Sequence, residues 1–169
     1  MTQENLTVNK SLKVSKKEIL DDFLLMNVSR NISYIGRKEV FMGRAKFGVF
    51  GDGKELPQIA MSKFFRNGDF RSGYYRDQTF MMSINQLTPD QFFAQLYAHT
   101  DIKKDPHSGG RQMNCHFGTR LLNENGDWKT QTDMMNSVSD ISCVSGQMPR
   151  IVGLAVSYTH LTLPTSDLV

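Results

Sequence analysis

The placement of its glycines constrains this chain more than any other feature. Those at 36, 43, 48, 51 and 53 punctuate ISYIGRKEVFMGRAKFGVFGDG, and Gly68 and Gly73 interrupt FRNGDFRSGYYRD. Glycine inside a helix costs about 1 kcal/mol relative to alanine. The pattern therefore predicts short elements and turns, and argues against one long helix through residues 32–53. Helices are expected where start signals stand. S-K-K-E at 15–18 has the form of a capping box, followed by Ile19, Leu20, Phe23 and Leu24 at amphipathic spacing, which predicts a helix to about residue 28 buried against the body. LPQIAMSKFF reads as a helix with Pro57 near its first turn and Ile59, Ala60, Phe64 and Phe65 inward. Thr88-Pro89-Asp90 is a helix start, and Phe92, Phe93, Leu96 and Tyr97 follow at core spacing.

Hydrophobic content of 39% with 22% charged residues is that of an ordinary globular chain, long enough at 169 residues for one real core. The net charge of +3 is scattered and gives little reason to expect a nucleic-acid partner. Two distant cysteines, Cys115 and Cys143, and no apolar segment after Met1 predict a reducing, cytoplasmic setting with free thiols. The polar first stretch, residues 1–14, reads as a flexible leader.

Several motifs are weak alone. FGDGK at 50–54 lacks the spacing of a phosphate-binding loop and reads as a turn. His107, Cys115, His116 and Cys143 have no zinc-ligand spacing, and no metal ligands are assigned. DIKKDPHSGGRQMNCHFGTR, 101–120, is too rich in glycine and polar groups for regular structure, and loops of that kind often carry function. Arg66, Arg71, Arg76 and Arg111 with the aromatics among them would suit a basic, non-enzymatic module for RNA or protein.

Three stretches taken together are more specific: SGYYRD at 72–77, GGRQMNCHFG at 109–118, and SCVSGQMPRIVGLA at 142–155. In this order they resemble the alpha part of the decarboxylating component of thiamine-diphosphate-dependent 2-oxoacid dehydrogenase complexes, within it the branched-chain (2-oxoisovalerate) type. The resemblance runs from about Ile32 to Ala155. It implies an α/β thiamine-diphosphate-binding fold, here incomplete: mostly the leading helices and loops before most of a parallel sheet. It implies oxidative decarboxylation of a branched-chain 2-oxo acid with acyl transfer to a lipoyl group, a pyruvate-specific relative sharing the chemistry. Tyr75 and Arg76 would hold the cofactor diphosphate and His116 would stand at the catalytic cavity. Ser142 and Val144 would meet the aminopyrimidine ring through their backbone, with the Val144 side chain supporting the bent cofactor. Thiamine diphosphate and magnesium are the implied cofactors. The implied partners are the beta part, a lipoyl-bearing acyltransferase component and the 2-oxo acid.

The chain also departs from that family. Cys143 and Gly146 stand where proline and threonine often lie near a potassium ion, so no potassium is expected. Gly51-Asp52-Gly53 precedes the Tyr-Arg pair, whereas the family's magnesium motif follows the QMP helix. The magnesium ligands and the activating glutamate of the beta part are thus expected outside this chain, which should be inactive and poorly soluble alone. From Val156 the sequence VSYTHLTLPT resembles the frame translation of a sequencing adapter, so residues 156–169 are expected to be a non-native tail after a dehydrogenase portion at 15–155. As a natural segment its alternation would suit a strand, which Pro164 would confine to an edge.

Overall fold

A computed structural model describes residues 14–162. The leader expected at 1–14 lies outside them except for Val14. The elements are α1 (Lys16–Phe41), α2 (Glu55–Ser62), β1 (Phe70–Ser72), α3 (Gln78–Ser83), α4 (Pro89–Leu96), β2 (Asn136–Val138) and α5 (Gln147–Thr162), with a short 3₁₀ turn at Gln131–Asp133. The result is a mixture of helix and a small parallel sheet, compatible with an α/β chain.

Ser15 caps α1, its hydroxyl accepting the Glu18 N–H at 3.1 Å. The Glu18 carboxylate pairs with Lys63 (2.5 Å). The helix then runs through Gly36 and ends only at Phe41, correcting the expected stop near residue 28. The reason is tertiary. A Cβ on Gly36 would stand 2.4 Å from the Phe50 ring, so this glycine admits an aromatic against the helix and does not end it. Gly43, at φ 72°, supplies the left-handed residue just past the helix end.

The inward face of α1 is also displaced from the expected one. Ser29, Ile32, Ser33, Gly36 and Glu39 are buried, and Leu25 and Val28 pack at the edge of the core. Ile19, Leu20, Phe23 and Leu24 are exposed, Phe23 at 62%. In α2 Ile59 points inward and Ala60 outward; past the helix end at Ser62, Phe65 meets Phe80 edge-on with ring centroids 5.2 Å apart, whereas Phe64 faces outward. Helix α4 has the full reciprocal cap between Thr88 and Gln91, with Phe92 and Leu96 buried, Phe93 half-buried and Tyr97 exposed.

Ile32, Phe80, Met81, Met82, Leu87, Phe92, Cys115 and Phe117 form the core. Strands β1 and β2 pair in parallel, Phe70 opposite Asn136, Arg71 opposite Ser137 and Ser72 opposite Val138. Helix α5 packs on β1, with the Ser72 hydroxyl donating to the Gln147 carbonyl at 3.1 Å. It continues unbroken past Val156 to Thr162, so the strand alternative for the tail fails over 156–162; adding a residue to an existing helix is far easier than pairing a lone strand. Residues 163–169 lie outside the described ones. No helix among the described residues is long and apolar enough to cross a membrane.

Candidate functional site

Beneath the site lies a buried ion cluster. Arg71, only 7% exposed, donates from Nη2 to Asp77 Oδ2 at 2.9 Å and to Asp140 Oδ2 at 3.0 Å, and from Nη1 to the Ser137 hydroxyl at 2.5 Å. Its guanidinium lies where a Cβ on Gly73 would stand, which excludes any larger residue there in this arrangement. Burial pushes the Asp140 carboxyl above the usual carboxylate range, opposed by the Arg71 charge and the Phe117 N–H at 3.1 Å. This cluster fixes β1, β2 and the turn that follows β1. It also removes Arg71 from the basic surface that an RNA-binding module would need.

That turn carries Tyr75 and Arg76. The Asp77 carboxylate accepts the Tyr74 N–H at 2.8 Å, and the Asp77 N–H returns to the Tyr74 carbonyl at 3.1 Å. The Arg76 carbonyl accepts from Gln58 Nε2 at 2.9 Å and lies so near Gly51 that a Cβ there would approach it to 2.4 Å. Gly51 therefore admits the turn closely, and neighbouring Asp52 pairs with Arg37 at 2.6 Å. Tyr74 donates its hydroxyl to the Tyr75 oxygen at 2.5 Å, which leaves the Tyr75 proton free for another acceptor. That bond, with burial, raises the Tyr74 pKa.

The glycine-rich loop at 101–120 is irregular but tightly organised. Asp105, fully buried, accepts N–H groups of His107, Ser108 and Gly110 and the Ser108 hydroxyl. Burial alone would raise its pKa; the donors outweigh burial and hold it below the usual range. His107 lies between the Gln86 carbonyl (Nε2, 2.9 Å) and the Gly118 backbone, and burial lowers its pKa. A neutral ring satisfies this arrangement by donating from Nε2 and accepting the Gly118 N–H at Nδ1.

Further along, Asn114 clamps the extended segment before the FGDGK turn: Oδ1 accepts the Val49 N–H at 2.9 Å and Nδ2 donates to the Val49 carbonyl at 2.6 Å. Cys115 is fully buried, which raises its thiol pKa well above the ordinary value, and its backbone takes φ 61°. This left-handed residue precedes His116, whose ring is 2% exposed and nearly parallel to that of Tyr75 at 6.2 Å. His116 Nδ1 faces the Asn114 carbonyl at 3.1 Å and Nε2 faces the Ser142 hydroxyl at 2.8 Å. A carbonyl only accepts, so Nδ1 carries a proton, and in that neutral tautomer Nε2 is the nitrogen that accepts from Ser142.

These segments enclose an open cleft of about 500 Å³ lined in part by Tyr75, Arg76, His116 and Ser142. The sequence reading named all four, and they come from three distant stretches. Val144, also named, is 72% exposed and is not among the lining residues. The rest of the lining (Arg37, Phe47, Gly48, Val49, Phe50 and Met113) escaped the sequence reading. Only the aromatics around Gly48 hinted at it, because the clamp from Asn114 that places this segment spans 65 residues.

Among the described residues no carboxylate lines the cleft, whereas two guanidiniums do. Arg37 is answered by Asp52, but Arg76 has no ion pair among the described residues and its buried Nε finds no acceptor. An anionic ligand such as a diphosphate fits this donor set, since guanidinium groups match phosphate oxygens in geometry and charge. Among the described residues no group of three or more His, Cys, Asp and Glu side chains comes together to hold a metal ion.

The fold and site thus define a helix-rich protein with a small parallel sheet and a cationic cleft suited to an anion. No protein-family model matches the sequence. Over 150 residues it is 25% identical to the 2-oxoisovalerate dehydrogenase subunit alpha of Bacillus subtilis (strain 168). The alignment covers 88% of this chain and 40% of that protein.

Proposed function

We propose that this chain is part of the alpha component of a thiamine-diphosphate-dependent 2-oxoacid dehydrogenase acting on branched-chain 2-oxo acids, and that its cleft takes the diphosphate end of that cofactor. One observation carries the reading: Tyr75, Arg76, His116 and Ser142 converge on one cleft, with no carboxylate paired to Arg76 among the described residues. The similarity to a 2-oxoisovalerate dehydrogenase subunit supports the same class.

When bound, thiamine diphosphate supplies a carbon nucleophile for the 2-oxo group and an electron sink for loss of carbon dioxide. The chain supplies binding and orientation. Arg76 would donate to phosphate oxygens, and Tyr75, whose oxygen already accepts from Tyr74, would donate its hydroxyl hydrogen bond to the same anion. Arg37, paired with Asp52, shapes the same wall, and Phe47, Phe50 and Met113 give it apolar surface that displaces water. His116, with its proton held on Nδ1 by the Asn114 carbonyl, presents Nε2 as an acceptor toward Ser142.

Magnesium ligands, the activating glutamate of the beta part and the docking surface for the lipoyl-bearing acyltransferase belong, in this reading, to the remainder of a longer enzyme. The chain alone then lacks dehydrogenase activity, and residues 156–169 are not part of the native subunit. Sequencing the source locus across the codons for Leu154 to Ser157 tests the last point: a frame that continues into a helix and a G-D-G…N-N stretch agrees, and a frame running through VSYTHLTLPTSDLV to a stop refutes it.

The functional test is calorimetric titration of thiamine diphosphate and magnesium into the full-length parent assembled with its beta part. Arg76→Ala should weaken cofactor affinity by about 2 to 4 kcal/mol, the usual cost of losing a charge-assisted contact. An unchanged titration refutes the assignment.

A further inference from the structure

Ser142 and His116 have a relation that cofactor binding does not require. The Ser142 side chain is exposed at the cleft, whereas His116 behind it is buried. Their contact is 2.8 Å, and the Asn114 carbonyl fixes the far side of the imidazole at 3.1 Å. The Tyr75 ring lies nearly parallel to the imidazole at 14°, restraining its plane. A hydroxyl within reach of a buried imidazole nitrogen, which is itself oriented by a third group, is the arrangement that activates a serine nucleophile. The carbonyl holds the ring in the tautomer that can take the proton.

We propose that Ser142 is a nucleophile with His116 as its general base, and that its substrates are acyl groups on an anionic leaving group, the acyl phosphates. The leaving group follows from the lining: among the described residues no carboxylate lines the cleft, and the Arg76 guanidinium there has no ion pair. In the first step Ser142 Oγ forms a bond to the acyl carbon while its proton passes to His116 Nε2. The bond from acyl carbon to phosphate oxygen breaks, the phosphate departs with the electron pair, and the imidazolium returns the proton to it. In the second step water, deprotonated by the same nitrogen, attacks the ester. Ser142 leaves with the electron pair and recovers its proton, and the products are carboxylate and phosphate. No oxidant, metal or cofactor enters. The proposal does not depend on the cofactor reading above.

The test uses the full 169-residue chain and acetyl phosphate labelled in its acetyl group, followed by acid quench and peptide mapping. The expected result is an ester on Ser142, formed faster than on the exposed Ser145 and Ser157. Ser142→Ala removes it, and His116→Gln slows its formation about a hundredfold, the typical contribution of a general base. Arg76→Gln slows the reaction with acetyl phosphate. Labelling of Ser142 at the rate of the other exposed serines overturns the proposal. Should the His116 variant fail to fold, the wild-type pH profile decides. A labelling rate that rises and then levels supports an imidazole base, and one that climbs throughout in proportion to hydroxide refutes it.

Discussion

The first turns of α1 and the ground beneath the cleft invert the usual partition of side chains. Near the amino terminus Ile19, Leu20, Phe23 and Leu24 face outward. Under the cleft Arg71, Gln78, Asn114 and Asp140 are buried. The outer region is held by surface contacts, the Ser15 cap within the helix and Lys63, 45 residues beyond Glu18, bridging Glu18 and Asp22. The inner region is held by partners far apart in the chain. Gln78 Oε1 accepts the Gly51 N–H at 3.1 Å, while its Nε2 reaches Ser33 Oγ at 2.9 Å. Exposed apolar contacts contribute little to the stability of this chain, whereas a buried polar group depends on every partner it has.

The strongest test of the contrast is Arg71→Met. It leaves Asp77 and Asp140 without their cation in a buried setting, and should cost about 3–5 kcal/mol, read as a lower urea midpoint. A loss under about 1 kcal/mol would mean the cluster is already solvated and does not organise the cleft.

A smaller effect should come from acidification. His107 is kept neutral by burial, so its folded pKa lies below its unfolded one. The unfolded chain then binds more protons as pH falls below about 6.5, and stability should decline from there until the folded pKa is passed. The urea midpoint should therefore drop between about pH 7.5 and about pH 5.5, and His107→Gln should flatten that slope. An identical slope in the variant would assign the effect to other groups.

Least of all should follow from Phe23→Lys on the outer face of α1. The expected change in stability is within about 0.5 kcal/mol, with higher solubility. A large loss would show that this face is covered in the folded protein.

The helix starts at Ser15 and Thr88 were legible because a cap is local chemistry, complete within four residues. Gly43 and Gly36 show the limit. Both read as punctuation; at Gly43 the backbone angle is the reason, and at Gly36 the reason is Phe50, fourteen residues on. The site divides in the same way. Tyr75, Arg76, His116 and Ser142 stand in recognisable strings, and the structure adds that they share a cleft. Nothing near Asn114 in sequence announces that its amide fixes Val49, nor that Arg37, from the stretch read as a series of short elements, lines the same wall.

By itself the sequence determined where α4 begins, that residues 101–120 form an irregular polar loop, and which strings carry chemistry. Each depends on side chains acting on their own backbone within a turn or two. Tertiary structure alone decided the length and inward face of α1, the burial of Arg71 and the exposure of Val144. It also decided the pairing of His116 with Ser142. Those outcomes rest on packing and hydrogen bonds between residues that meet only when the chain closes on itself, and no local pattern encodes such a meeting.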